Sequence, residues 1–210
     1  QKRFGRAATL LGDEGGYAPA LGYNLEPFRV MGEAAKDIKH GADIRFGIDA
    51  AASNVSLHAT QLKKLYLQMQ SEYAIAYIED PYGEEDFARF ADLLSATEGS
   101  VVIAGDDLTV TNVKRMREAC ATKAVNGVII KPNQIGTVTE ALEAVRFARE
   151  QHWTVVVSHR SGETNDDFIA DFAVGTGADY TKFGAPARGE RVVKYNRLLK
   201  IEQILAQRQS

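Results

Sequence analysis

Only one of the 210 residues, Cys120, is a cysteine. That excludes an internal disulfide and suits a reducing compartment, so the expected location is cytoplasmic. No apolar run approaches the length of a membrane-crossing helix, and no membrane span is expected. Positive charge is also scarce: 25 Lys and Arg stand against 28 Asp and Glu, for a net charge of -3. A nucleic-acid binder normally carries a basic stripe, so nucleic acid is not an expected partner. The opening stretch QKRFGRAATLLG holds too short an apolar segment for a secretory signal. It also lacks an initiating Met, and the expectation is a chain that begins inside a longer protein or has been cut. Low-complexity segments, linkers and sequence repeats are absent as well. What is present, 45% hydrophobic and 25% charged, is enough for one globular domain with a real core.

Short apolar runs recur along the chain, and nearly every one ends on a reactive side chain. Ile44–Ile48 leads to Asp49, Ala74–Ile78 to Glu79, and Val101–Ala104 to Asp106 and Asp107. Val128–Ile130 leads to Lys131, Val155–Val157 to Ser158, His159 and Arg160, and Asp179–Thr181 to Lys182. Asp49, Glu79, Asp106, Lys131, Ser158 and Lys182 are spaced by 24 to 30 residues, the length of one strand plus one crossover helix. Continuous apolar runs mark strands buried on both faces. Helical spacing of apolar residues fills the gaps: 27–40, 61–73, 84–96, 111–121, 137–151, 163–175 and 191–207. Thr111 or Asn112 is the expected cap of the fourth of these helices. The alternation predicts an α/β parallel sheet, a (β/α) TIM-like barrel of about six units. Such a barrel keeps its active site at the C-terminal ends of its strands.

Each motif has an ordinary reading and a chemical one. LGDEGGYAP (Leu11–Pro19) taken alone is a turn with solvated acids. A single acid after a strand, as in GIDAAAS (Gly47–Ser53) or YIEDPY (Tyr77–Tyr82), is usually an N-cap. Asp49, Glu79 and Asp106 on successive strands are different, because three converging carboxylates repel one another unless a cation sits between them. Oxygen ligands with open positions suit Mg²⁺. Lys131, in IIKPNQIGT (Ile129–Thr137), would be a solvated lysine if it stood alone. Beside a divalent cation in a closed site, a lysine can act as a base. SHRSGET (Ser158–Thr164) gathers hydroxyls, Arg160 and a predicted helix start, which together suit an anion such as phosphate. His159 there is either a general acid or only a hydrogen-bond donor. His40, His58 and His152 carry no such context.

GDEGG, GIDAAAS, IEDP, DDLTVTN, KPNQIG, SHRSGET and GAPARGER, in that order, resemble the enolases. The resemblance runs from about Gly12 to Glu202 and implies that residues 1–210 are a partial C-terminal enolase barrel domain. It implies Mg²⁺-dependent dehydration of 2-phosphoglycerate to phosphoenolpyruvate, with two Mg²⁺ per site. Asp49, Glu79 and Asp106 then correspond to the metal ligands and Lys131 to the base that removes the C2 proton. Glu14 corresponds to the acid that helps the C3 hydroxyl leave, and Lys182 to the residue holding the substrate carboxylate. Arg160 and Ser161 correspond to phosphate contacts, with His159 close by. A phosphorylated small molecule is the implied ligand, and a homodimer or higher oligomer the implied state of the full-length protein.

Two departures stand out. The enolase N-terminal domain and the first barrel strands have no counterpart here, so the expected barrel is incomplete, and the isolated piece could be a non-catalytic module. Ala52–Leu62 is also shorter than the excursion enolases usually carry after the first metal aspartate.

Overall fold

A computed structural model describes residues 4–209. Six parallel strands alternate with helices in the chain order of an incomplete α/β barrel of the TIM type. The chain divides into two compact units, residues 21–154 and residues 1–20 with 155–210.

In the first unit β1 (Gly47–Asp49), β2 (Tyr77–Glu79), β3 (Val102–Gly105) and β4 (Gly127–Ile130) pair in that order, all parallel. The register sets Asp49 opposite Glu79, and Glu79 opposite Ala104. Ile78, Ile103, Val128, Ile129 and Ile130 are wholly buried. The helices are α1 (Glu26–Lys36), α2 (Ala59–Tyr73), α3 (Phe87–Ala96), α4 (Val113–Ala121), α5 (Pro132–Ile135) and α6 (Val138–Glu150). They bury Leu62, Tyr66 and Met69 from α2, Phe90 and Leu93 from α3, and Met116 from α4. Tyr66, Tyr82 and Phe90 stack edge to face, the arrangement ring quadrupoles favour. The Tyr66 hydroxyl donates to the Pro81 carbonyl at 3.0 Å, which ties the turn after β2 to α2.

Side-chain caps fix several helix starts. Asn112 Oδ1 accepts from the Lys114 N–H at 2.9 Å, so Asn112 rather than Thr111 caps α4. Asp86 accepts from the Arg89 N–H, which delays α3 to Phe87 instead of Glu84. Gln61 Oε1 accepts from the His58 N–H at 3.0 Å at the head of α2. Ala74 ends that helix in the left-handed region, so the next strand begins at Tyr77 rather than Ala74. Pro132 opens the unexpected short α5, since its missing N–H is surplus in a first turn.

In the second unit β5 (Thr154–Ser158) pairs parallel with β6 (Tyr180–Lys182), placing Ser158 opposite Lys182. Two helices follow these strands, α7 (Phe168–Gly175) and α8 (Gly189–Gln209). Arg197 on α8 grips Asp171 on α7 through two bonds of 2.6 and 2.7 Å. The predicted helix at 163–175 starts only at Phe168. The Asp166 carboxylate takes the Phe168 N–H at 2.9 Å, and Lys194 takes the carbonyls of Thr164 and Asp166. Those backbone groups are therefore spent on side chains instead of a helical ladder.

Candidate active site

In the first unit the acids sit where parallel strands end. Asp49 and Glu79 close β1 and β2, Asp106 follows β3, and Lys131 follows β4. Glu79 and Asp106 are buried. Tyr77 donates its hydroxyl to Glu79 Oε2 at 2.8 Å. Burial, and then the Glu79 charge, pushes that phenol well above its ordinary value, so it stays a donor. Lys131 Nζ pairs with Asp106 Oδ2. The other oxygen, Asp106 Oδ1, is buried and has no hydrogen-bond partner among the described residues. An ionised oxygen in that condition is costly, and a hard cation is the kind of group that would satisfy it.

The carboxylate oxygens that converge most tightly among the described residues belong to Asp80, Asp106 and Asp107, all within 4.8 Å of one another. Asp80 is nevertheless a clamp. Its Oδ1 accepts from the Asp106 N–H at 3.0 Å and its Oδ2 from the Asp107 N–H at 2.7 Å. Both oxygens face backbone, and burial raises its pKa to about 7 against the lowering effect of those amides. Asp80 thus sets the direction of Asp106. The backbone here departs from relaxed geometry at Asp80 (φ 41°), Val110 (φ 44°) and Thr111 (φ 58°). Left-handed φ at β-branched residues is uncommon and persists where surroundings enforce it. What it achieves is visible at Thr111, whose Oγ1 accepts the Lys131 N–H at 2.9 Å and so fixes the base of the lysine.

In the second unit Glu14, His159, Arg160, Ser161 and Lys182 gather with a residue not foreseen from sequence, Arg191. Ser161 Oγ donates to Glu14 Oε1 at 2.9 Å, and His159 Nε2 lies 3.3 Å from Glu14 Oε2. That second contact has ion-pair distance without hydrogen-bond geometry, since Nε2 has no hydrogen-bond partner among the described residues. Burial raises the Glu14 pKa. The Ser161 hydroxyl, with the charges of Lys182 and Arg191, outweighs it and holds the carboxyl below its ordinary value. Burial drives His159 down to about 4, so the ring is neutral at pH 7.

The Glu14 loop is fixed by backbone. Gly12 and Gly16 bond at 2.8 Å, and the Ala185 N–H donates to the Glu14 carbonyl at 2.9 Å. Gly15 has φ +80°, and a Cβ there would stand 2.7 Å from the Ala187 carbonyl oxygen, so glycine is required. Glu163 accepts from the N–H groups of Arg160 and Thr164, both at 3.1 Å. Its other partner is the buried Lys194, at 2.9 Å. Arg160 is half-buried and Ser161 exposed.

A family model described as "Enolase, C-terminal TIM barrel domain" matches residues 1–56 and 54–210. The chain belongs to the enolase family. The two matched stretches overlap at 54–56, inside the Ala52–Leu62 segment. Among curated proteins named "Enolase", that of Aeropyrum pernix is 46% identical over 216 residues, covering 97% of this chain and 50% of its own length. The enolase of Sulfurisphaera tokodaii is 44% identical, covering 96% of this chain and 51% of its own length. That of Mastigamoeba balamuthi is 43% identical, with 98% and 52% covered. The chain thus spans about half the length of the enolases it matches.

Arg191, Lys194, Asp80 and Thr111 were missed as site residues. Arg191 and Asp80 lie inside quoted motifs, GAPARGER and IEDP, beside groups with more familiar chemistry. Sequence carried no sign that either would be buried.

Proposed function

We propose that this chain carries reacting groups for Mg²⁺-dependent dehydration of 2-phosphoglycerate to phosphoenolpyruvate. The observation that carries the reading is Asp106, one oxygen paired with Lys131 and the other buried without a hydrogen-bond partner among the described residues. Asp49, Glu79 and Asp106 would hold Mg²⁺. Bound Mg²⁺ supplies electrostatic stabilisation for charge developing on the substrate carboxylate. Lys131 Nζ, released from Asp106 and made a free amine by losing one ammonium proton to water, takes the proton from C2. The electron pair left on C2 forms the C2=C3 bond as the C3–O bond breaks. Glu14 gives a proton to the departing hydroxyl, which leaves as water. The Lys182 ammonium holds the carboxylate. Arg160 and the Ser161 hydroxyl hold the phosphate, and His159 stands by as a neutral donor.

Glu14 needs a proton for this role, and in the free chain its neighbours favour the ionised form. A phosphate that takes the Ser161 hydroxyl removes one of those supports. Negative charge brought nearby also raises a carboxyl's proton affinity. Hydrogen–deuterium exchange at C2 separates the roles. Glu14→Gln should keep C2 exchange while losing dehydration, and Lys131→Ala should lose both. Full C2 exchange in Lys131→Ala would remove the lysine from the reaction.

A second reading is favoured by the half-length coverage. In it the 210 residues alone bind metal and phosphorylated ligands but turn nothing over, and a segment equivalent to the half of the relatives that this chain does not span completes the catalyst.

A further inference from the structure

Arg191 is only 1% exposed, and its guanidinium touches two stretches of the second unit. Nη1 lies 2.7 Å from His159 Nδ1 and donates to the Arg160 carbonyl at 2.7 Å. Nη2 donates to the Ser161 carbonyl at 2.6 Å and the Asp13 carbonyl at 3.2 Å. Gly184 makes room for this packing. A Cβ there would stand 3.0 Å from His159 Cε1 and 3.1 Å from Arg191 Cδ.

A guanidinium donates and never accepts, and it keeps its proton at any working pH. A nitrogen 2.7 Å from it must therefore be an acceptor, which leaves Nδ1 of His159 bare and the ring proton on Nε2. Which imidazole nitrogen is protonated is set by the bond the other one makes. Nε2 is the atom 3.3 Å from Glu14 Oε2. The two backbone strands that Arg191 grips, at Asp13 and at Arg160–Ser161, flank the Glu14–Ser161 contact.

We propose that Arg191 is a positioning residue that locks His159 as the neutral Nε2–H tautomer and holds the Glu14 and Ser161 loops in register. The charged groups acting on His159 are Glu14 and Glu163, which favour protonation, and Arg191 and Lys182, which oppose it; burial opposes it most. The lock does not depend on the dehydration reading, but its kinetic consequence does.

Side-chain ¹⁵N NMR of the histidine-labelled full chain tests it. The expected spectrum has one histidine with bare Nδ1 and protonated Nε2, titrating below the ordinary histidine value of 6.5. An Nδ1–H tautomer, or an imidazolium at neutral pH, would overturn the proposal. Arg191→Met should release His159 into both tautomers and move its titration upward. Arg191→Lys keeps a side chain that only donates and should restore the single tautomer. An Arg191→Met chain that folds and keeps the single tautomer would make Arg191 a structural staple only. Where Arg191→Met fails to fold, the unmodified chain and Arg191→Lys decide. In protein that turns over 2-phosphoglycerate, Arg191→Met should lower kcat roughly 100-fold with a smaller change in KM. Absence of turnover in the unmodified protein would sink the dehydration reading and leave the tautomer result standing.

Discussion

At the scale of single residues, Asp106 carries two demands at once. One oxygen holds the Lys131 ammonium and the other lies buried without a hydrogen-bond partner among the described residues. A cation at this carboxylate competes with Lys131, so the two should be antagonists in binding. Lys131→Ala should leave affinity for Mg²⁺ alone equal or tighter, and Asp106→Asn should weaken it by about tenfold or more. Titration calorimetry with Mg²⁺ measures both, and loss of Mg²⁺ binding in Lys131→Ala would contradict the competition. His159 gives a second test. Its folded pKa of about 4 lies below the unfolded 6.5, so the folded state binds fewer protons through that range. The histidine's stabilisation is complete above pH 6.5 and is lost as pH falls toward 4. Urea unfolding across this range should show that loss, and His159→Gln should flatten it. An identical slope in His159→Gln would contradict the assignment.

At the scale of elements, the apolar runs made β3, β4 and β5 legible because burial on both faces writes itself as continuous Val and Ile, whereas β1 and β6 are largely exposed. The reactive side chains after them were legible because each directly follows such a run. What escaped was decided by partners distant in sequence. The start of α7 moved to Phe168 because Lys194, 30 residues beyond Thr164, claims its carbonyl. Local spacing of apolar residues cannot register that. Lys194 is 1% exposed and pairs with Glu163, which itself holds two loop amides. Removing one partner of a buried pair leaves an uncompensated charge, so Lys194→Met should cost about 3–5 kcal/mol in chemical denaturation. A change below about 1 kcal/mol would place the pair among solvent-screened contacts. Asn112→Ala, which deletes the cap of α4, should cost about 1 kcal/mol. No change in the unfolding midpoint would show that the cap contributes nothing.

At the scale of the whole molecule, the chain spans about half the length of the enolases it matches, and the residues assigned to the proposed reaction are divided between its two compact units. The acids and Lys131 lie in one compact unit, and Glu14, His159, Arg160, Ser161 and Lys182 lie in the other. No helix among the described residues is long and apolar enough to cross a membrane. Groups of the right kind are a necessary condition for turnover, and the remaining half-length of the relatives is the untested complement. The deciding measurement is Mg²⁺-dependent formation of phosphoenolpyruvate from 2-phosphoglycerate, followed by ultraviolet absorbance. It is run with this chain alone, with an enolase N-terminal half added, and with Lys131→Ala in both settings. The expected result is activity once the N-terminal half is present, abolished by EDTA and by Lys131→Ala. A folded chain that binds the added half yet makes no product, or product formation that survives Lys131→Ala, would contradict it.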